Sequence, residues 1–196
     1  MVMTLVWLAV KTQIQTRVWR DGITLWTNAL KVTDTDPKPQ IQLARALHAS
    51  GNIEQAGVHY QAALKLSPSS SQFHIDYGAL LLQQDQTATA IEHLRRAVEL
   101  APQNGRATGL LGFAFWKNGE WEPAETWLQK AITQEPDWVR PYLWLGNLRI
   151  DQQRVAEAVD FYRKAVEVNP QSASDRRELT RAEKLLHQKT ASSPSQ

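Results

Sequence analysis

Histidines are the side chains of this 196-residue chain best suited to bind a metal ion or move a proton, and there are five of them. No two have the i, i+4 spacing with which one helix presents two imidazoles to zinc. His48 and His59 are left as an alternative ligand pair, but they lie on different predicted helices. The chain has no cysteine, which excludes disulfides, thiolate metal sites and cysteine nucleophiles. We predict no metal ion.

Neighbouring carboxylates, which could serve as a general acid and base, occur at Glu120, Glu122 and Glu125. They fall at the start of a predicted helix, where negative charge is stabilised by the helix dipole, and this explanation is favoured over catalysis. The sequence has no phosphate-binding glycine loop and no Gly-x-Ser-x-Gly motif. We therefore predict a protein without catalytic residues and without a cofactor.

The overall charge argues against nucleic acid as a partner. The chain carries 22 Lys and Arg against 20 Asp and Glu, a formal net charge of +2. A nucleic-acid-binding domain usually has a much larger basic surplus. We expect a protein or peptide partner instead, and the oligomeric state is left open.

Small and cyclic residues recur at a fixed distance along the chain. Prolines lie at Pro68, Pro102, Pro136 and Pro170, at intervals of 34 residues. Three glycines keep the same interval, as do two series of alanines. These residues are Gly78, Gly112, Gly146, Ala56, Ala90, Ala124, Ala158, Ala63, Ala97, Ala131 and Ala165. A fixed period of this length is the mark of a repeat protein.

Each repeat is predicted to contain two antiparallel helices, because apolar residues keep a helical spacing on both sides of a polar break. Four repeats span 37–172, and a half-repeat with a second helix only spans 21–36. Residues 173–189 have the polar, helical pattern of the cap that such arrays need. The Ser-rich end, 190–196, is expected to be disordered.

The four repeats resemble tetratricopeptide (TPR) repeats over residues 37–172. The resemblance implies an all-α fold, a TPR alpha-solenoid in which antiparallel helix pairs form a right-handed superhelix. It also implies a concave groove lined by positions 2, 5, 9, 12 and 13 of the first helix in each repeat. Ile41 and Ile75 stand where the dicarboxylate clamp of chaperone-binding TPR domains would need polar residues, which disfavours that ligand.

The groove positions hold eight Lys or Arg and one acid, although the whole chain is nearly balanced. Such a surface would attract acidic ligands, and apolar residues among the cations would accept an apolar anchor. The predicted site consists of Lys38, Arg45, Arg106, Phe113, Trp116, Lys117, Arg140, Leu143, Asn147, Ile150, Arg177 and Arg181. The alternative is that these charges form an ordinary solvated face.

The first ten residues are apolar except for Thr4. Ten helical residues cover about 15 Å, half of the bilayer core, so three interpretations stay open: a buried helix turn, the end of a longer transmembrane helix, or a poor signal sequence. The segment from Thr16 to Leu30 resembles the junction of transmembrane and TPR-containing O-mannosyltransferases. There the last membrane helix leads into a Trp-rich half-repeat.

We therefore predict a non-catalytic TPR module that binds an acidic peptide in a basic groove. Attachment to a membrane through residues 1–20 is expected, with the side of the membrane undetermined; a cytoplasmic soluble protein is the alternative. The second functional hypothesis is a C-terminal accessory domain, or fragment, of a polytopic membrane glycosyltransferase. In that case the domain would present an acceptor protein to the enzyme.

Overall fold

The computed structural model describes residues 22–33 and 35–191. The predicted apolar segment, 1–20, lies outside these residues, and so does 192–196 of the predicted disordered tail. Residues 190–191, also assigned to that tail, are instead helical. Within the described residues all regular structure is α-helical, and the prediction of an all-α fold of TPR-type helix pairs is confirmed.

The chain forms two compact units, which divide between Leu100 and Ala101. Unit 1 contains α1 (22–30), α2 (Pro37–Ala49), α3 (Ile53–Leu66), α4 (Ser71–Gln83) and α5 (Thr87–Leu100). Unit 2 contains α6 (Gly105–Lys117), α7 (Trp121–Gln134), α8 (Val139–Asp151), α9 (Val155–Val168) and α10 (Ala173–Ala191). In each unit the even-numbered helix packs on the odd-numbered helix that follows it, and α10 packs on α9.

The residue before the first helix of each pair caps the N-terminus of that helix in three of the four repeats. Asp36, Ser70 and Asn104 each accept a hydrogen bond from a backbone N–H two or three residues further on. Such a cap contributes about 1 kcal/mol, since it satisfies a donor that the helix leaves unpaired. Trp138 stands at the fourth position and makes no side-chain cap.

The turn inside each pair requires a left-handed backbone. Gly51, Asp85, Gly119 and Gln153 have φ values of 85°, 57°, 80° and 60° and recur every 34 residues. Glycine adopts this conformation without a Cβ clash. Asp85 and Gln153 are non-glycine residues in the same place, and their side chains make the turn more strained.

Glycines inside the first helices allow close approach of the second helix. A Cβ added at Gly112 would lie 2.8 Å from Leu128 Cγ and 2.9 Å from the Leu128 backbone nitrogen. Gly146 faces the ring of Tyr162 in the same way. The cost of glycine within a helix, roughly 0.5–1 kcal/mol, is therefore offset by packing between the helices of one repeat.

Arg149 replaces the large apolar residue that other repeats place at this position of the first helix. Its side chain is only 4% exposed and forms ion pairs with Glu125 of α7 and, at 3.0 Å, with Glu157 of α9. The Arg149 guanidinium lowers the pKa of the Glu125 carboxyl through their hydrogen bonds. The buried charge is thus matched by two carboxylates, and it links three successive helices of unit 2.

Among the helices of residues 22–191, none has both the length and the apolar character needed to cross a bilayer.

Candidate protein-interaction face

Three helices of unit 2 contribute one continuous face. Helix α6 contacts α8, and α8 and α10 line a common cleft. These are the first helix of each pair and the capping helix, so we call this surface the first-helix face of unit 2. Eight of the ten predicted site residues in this unit are exposed or half-buried on α6 and α8, and Arg177 and Arg181 are exposed on α10.

An aromatic cluster occupies the α6 and α8 part of this face. The Phe113 and Trp144 rings stack with centroids 4.7 Å apart, and Trp116 meets Phe113 edge to face at 5.7 Å. Trp138 meets Trp144 edge to face at 5.5 Å. All four residues, Phe113, Trp116, Trp138 and Trp144, are half-buried, and we call this group the aromatic shelf.

Neighbouring residues fix the orientation of the shelf. The indole N–H of Trp116 donates to Asp151 Oδ2 at 2.8 Å. Gly109 leaves room for the Trp138 ring, which a Cβ at that position would overlap. Rigid aromatic rings with one exposed surface are the usual anchors of protein interfaces, because they bury a large area with little loss of side-chain entropy.

Basic residues surround the shelf, and they differ in how far nearby carboxylates neutralise their charges. Arg106 is 73% exposed, and its nearest carboxylate, on Glu135, is 3.9 Å away. Arg140 is exposed and makes no ion pair with any residue in 22–33 or 35–191. Lys117 is exposed at the end of α6, and the Arg177 Nε donates to the Ala173 carbonyl at 3.2 Å. The charge of Arg140 is therefore accessible to an incoming ligand.

A cleft of about 110 Å³ lies between α8 and α10. Its floor is formed by Asn147 and Tyr162, whose hydroxyl donates to Asn147 Oδ1 at 2.6 Å. Burial raises the pKa of the Tyr162 phenol to about 12, with the Glu178 charge acting in the same direction and Arg181 opposing it. The phenol is therefore neutral across the physiological range and acts as a hydrogen-bond donor.

The two predicted site residues of unit 1 have a different environment. Lys38 is exposed at the start of α2. Arg45 is half-buried, and its guanidinium lies 2.6 Å from Asp76 on α4. Close by, His48 Nε2 is 2.8 Å from the Gln83 side-chain oxygen. The charge of Arg45 is thus already matched within the unit.

The sequence analysis missed three residues next to the predicted positions: Asp76, Trp144 and Glu178. All three occupy position 6 of a first helix, which the groove pattern omits. Position 6 lies three residues before position 9, and residues three apart share a helix face. This spacing could have added position 6 to the predicted groove. It could not have placed Asp76 beside Arg45, because those residues lie on different helices and the spacing does not say which helices are neighbours.

Family comparisons agree with this architecture. Three tetratricopeptide repeat models match residues 41–105, 81–143 and 139–172. Together the matches cover the four repeats almost from end to end. The chain belongs to the tetratricopeptide repeat proteins, whose repeats serve as protein-protein interaction modules and are generally non-catalytic scaffolds.

Curated relatives that resemble this chain have varied biological roles. The chain is 28% identical over 148 residues to the CTR9 homologue of Arabidopsis thaliana and 27% over 131 residues to the type IV pilus assembly protein PilF of Pseudomonas aeruginosa. It is 24% identical over 170 residues to the human protein O-mannosyl-transferase TMTC3. The matches cover 72%, 66% and 79% of this chain but 14%, 52% and 19% of those relatives.

Solved structures show the same fold. MamA from Desulfovibrio magneticus RS-1 has a TM-score of 0.71 at 25% identity, with 84% of this chain and 96% of that chain covered. YrrB, described as a TPR protein with an unusual peptide-binding site, has a TM-score of 0.64 at 20% identity. That match covers 83% of this chain and 84% of YrrB.

Proposed function

We propose that this protein is a non-catalytic module that binds an acidic peptide segment on the first-helix face of unit 2. The observation that carries the proposal is the combination of the half-exposed aromatic shelf with Arg140, an arginine beside it that has no carboxylate partner in the described chain. Aromatic anchors supply affinity, and accessible cations select and steer acidic segments.

Further cations extend the positive surface along the same face. Arg106 precedes the shelf on α6, and Arg177 and Arg181 follow it on α10. The apolar members, Leu143 and Ile150, are half-buried between them on α8. Lys38 and Arg45 lie in unit 1 and are not part of the proposed binding surface, and Arg45 is also paired with Asp76.

A binding titration tests the proposal with two labelled ten-residue peptides. One consists of Asp and Glu with two Leu three positions apart, and the other has Lys and Arg in place of the acids. We expect the acidic peptide to bind and the basic one not to bind. The double variant Arg106→Glu and Arg140→Glu should weaken binding by about tenfold or more, equivalent to about 1.4 kcal/mol.

Lys38→Glu is the matched control, since Lys38 occupies the same position of its first helix in unit 1 as Arg106 and Arg140 occupy in unit 2. It should leave the affinity unchanged. Equal binding of both peptides, or an unchanged affinity in the double variant, would show that these charges form an ordinary solvated face.

A second candidate function is an accessory domain of a membrane glycosyltransferase, with attachment through residues 1–20. It is supported by the similarity to human TMTC3 over 170 residues. An epitope tag at the chromosomal C-terminus tests it. A band far above the 22.2 kDa of this chain, confined to carbonate-washed membranes, would support this candidate, and a soluble band at that mass would refute it.

A further inference from the structure

Neighbouring first helices meet at equivalent positions in both units, and the contact between one pair of these helices differs from the others. Between α2 and α4, Arg45 pairs with Asp76. Between α6 and α8, two repeats later, the equivalent residues are Phe113 and Trp144, whose rings stack. In both cases the chain fills the space between the two helices with its own side chains.

The next pair of neighbours, α8 and α10, does not follow this rule. The equivalent residues are Asn147 and Glu178. Asn147 turns its oxygen to Tyr162, and Glu178 makes no hydrogen bond or ion pair with any residue of the described chain. The space that a contact fills elsewhere is here the open cleft of about 110 Å³.

We propose that the α8/α10 cleft is a pocket for one branched aliphatic side chain of the bound peptide. The inference rests on the proposed function, because it assigns a specificity pocket to the same face. Its occupant is a Leu-like or Ile-like residue of an acidic segment.

The lining selects for an apolar, uncharged occupant. Ile150, Ala182 and Leu185 provide aliphatic walls, and Leu185 is 39% exposed, which is high for a large apolar residue. Glu178 and Arg181 carry opposite charges, so the rim has no net charge that would favour a charged side chain over an apolar one. Acidic residues of the peptide must therefore lie outside the cleft, where Arg140 and Arg177 are exposed.

The size of the cleft selects an aliphatic side chain over an aromatic one. An apolar protein cavity of about 150 Å³ holds a benzene molecule. The α8/α10 cleft is smaller, at about 110 Å³, and two charged groups take part of its rim. A Leu or Ile side chain therefore fits this volume better than the larger side chain of Phe or Trp.

The position of the cleft relative to the shelf sets the spacing of the two anchors. The shelf lies between α6 and α8, and the cleft between α8 and α10. Packed helices are about 8–10 Å apart, and a peptide in the polyproline II conformation advances about 3.1 Å per residue and presents the same face every three residues. The residue in the cleft should therefore be about three positions away from the residue on the shelf.

The experiment uses the full chain and variants of the acidic peptide with two Leu three positions apart. Replacing either Leu by Ala should weaken binding about tenfold or more, as for the loss of methylene groups from an apolar pocket. Replacing only one of the two by Trp should be tolerated, because the shelf accepts an aromatic ring. Moving the Leu residues to adjacent positions should also weaken binding.

Leu185→Trp is designed to fill the cleft from its exposed wall. In this variant one Leu→Ala change in the peptide should no longer matter, while Arg106→Glu with Arg140→Glu should still weaken binding. His187→Ala, an exposed change two residues further along α10, is the control that should keep the parent behaviour. Circular dichroism will show that each variant retains its helices.

The outcomes separate the two proposals. If no acidic peptide binds, both the proposed function and the pocket are wrong. If acidic peptides bind and depend on Arg106 and Arg140, but both Leu positions tolerate Ala or Leu185→Trp leaves both Leu requirements in place, only the aliphatic pocket is wrong.

Discussion

The same first-helix positions are polar in unit 1 and aromatic in unit 2. Arg45 and His48 of α2 correspond, two repeats on, to Phe113 and Trp116 of α6. Their partners on the next first helix are Asp76 and Gln83 in unit 1 and Trp144 and Asp151 in unit 2. The backbone positions and contacts are equivalent, but the chemistry is not.

The difference teaches that the charge of a repeat surface cannot be read from its cations alone. In unit 1 the ion pair between Arg45 and Asp76 links α2 to α4 and neutralises the charge of Arg45. In unit 2 stacked rings hold the helices without using an arginine, and Arg140 is exposed with no carboxylate partner in the described chain. The comparison predicts that binding is a property of unit 2 and that matched changes in unit 1 have little effect on it.

The largest expected effect is on the stability of unit 2. Arg149 is a buried arginine at a position where unit 1 has Leu47 and Leu81, both buried. Arg149→Ala removes the shared partner of Glu125 and Glu157 and should destabilise unit 2 by about 3 kcal/mol. Hydrogen exchange of amides in α7–α9 measures this loss separately from unit 1.

Arg154→Ala is the control for that change. Arg154 is exposed just before α9 and pairs with Glu157 of its first turn at 2.6 Å, a kind of contact worth under about 1 kcal/mol. Equal effects of the two variants would mean that burial of Arg149 does not strengthen its ion pairs.

The next effect concerns the shelf. Trp116→Ala should weaken binding of the acidic peptide by about 2 kcal/mol, roughly 30-fold, since a half-buried Trp is a typical interface hot spot. His48→Ala, the equivalent change in unit 1, should leave the affinity unchanged. Titrations with both variants make the measurement, and a larger loss for His48→Ala would reverse the assignment of binding to unit 2.

Acid should affect unit 1 before unit 2. His74 Nε2 donates to the Pro68 carbonyl at 3.1 Å, so its Nδ1 accepts from His93 Nδ1 at 2.9 Å. Burial, then the charge of His74, lowers the pKa of His93 below its ordinary 6.5. The folded state thus binds this proton less readily than the unfolded state. The stability that His93 contributes is present above pH 6.5 and is lost as pH falls below it.

Glu125 gives the contrasting behaviour in unit 2. Its pKa is held below the ordinary 4.5 by Arg149, so its contribution is present above pH 4.5 and is lost only as pH falls further. Melting curves at pH 7.5 and 5.5 should show a decrease that His93→Gln reduces and that Glu125→Gln does not. If the melting temperature of His93→Gln fell between pH 7.5 and 5.5 by as much as that of the parent protein, the histidine pair would not be the cause of the acid sensitivity.

The smallest effect concerns the turns. Gln153 of unit 2 has a φ of 60°, whereas the equivalent Gly51 of unit 1 has 85°. A left-handed non-glycine residue costs about 1–2 kcal/mol, and the added freedom of glycine in the unfolded chain offsets part of that gain. Gln153→Gly should therefore stabilise the protein by about 0.5 kcal/mol in urea denaturation. Destabilisation would show that Gln153 is not strained.

Much of the architecture was predictable because it follows from local patterns. Prolines at a 34-residue period mark the ends of the helix pairs, glycines at the same period mark the close contacts between paired helices, and the apolar spacing sets the buried face of each helix. Asp36, Ser70 and Asn104 mark helix starts through a contact only two or three residues long. The binding role of the predicted groove residues remains a prediction.

The environment of the groove residues depended on contacts between helices. Arg45 was chosen for its charge, yet Asp76, 31 residues away, neutralises it. Trp138 and Trp144 were absent from the predicted site, although they complete the shelf with Phe113 and Trp116. Sequence spacing gives the face of one helix, but it does not give the side chains that a neighbouring helix brings to that face.

By itself, the sequence determined the repeat length, the helical class and the family, since these depend on residues close in the chain. Only the tertiary structure decided which charges are already paired, where aromatic rings stack, and where a space between helices stays open. The reason is physical: neutralisation and packing depend on distances of a few ångströms between atoms. Those distances are set when helices from different repeats come together.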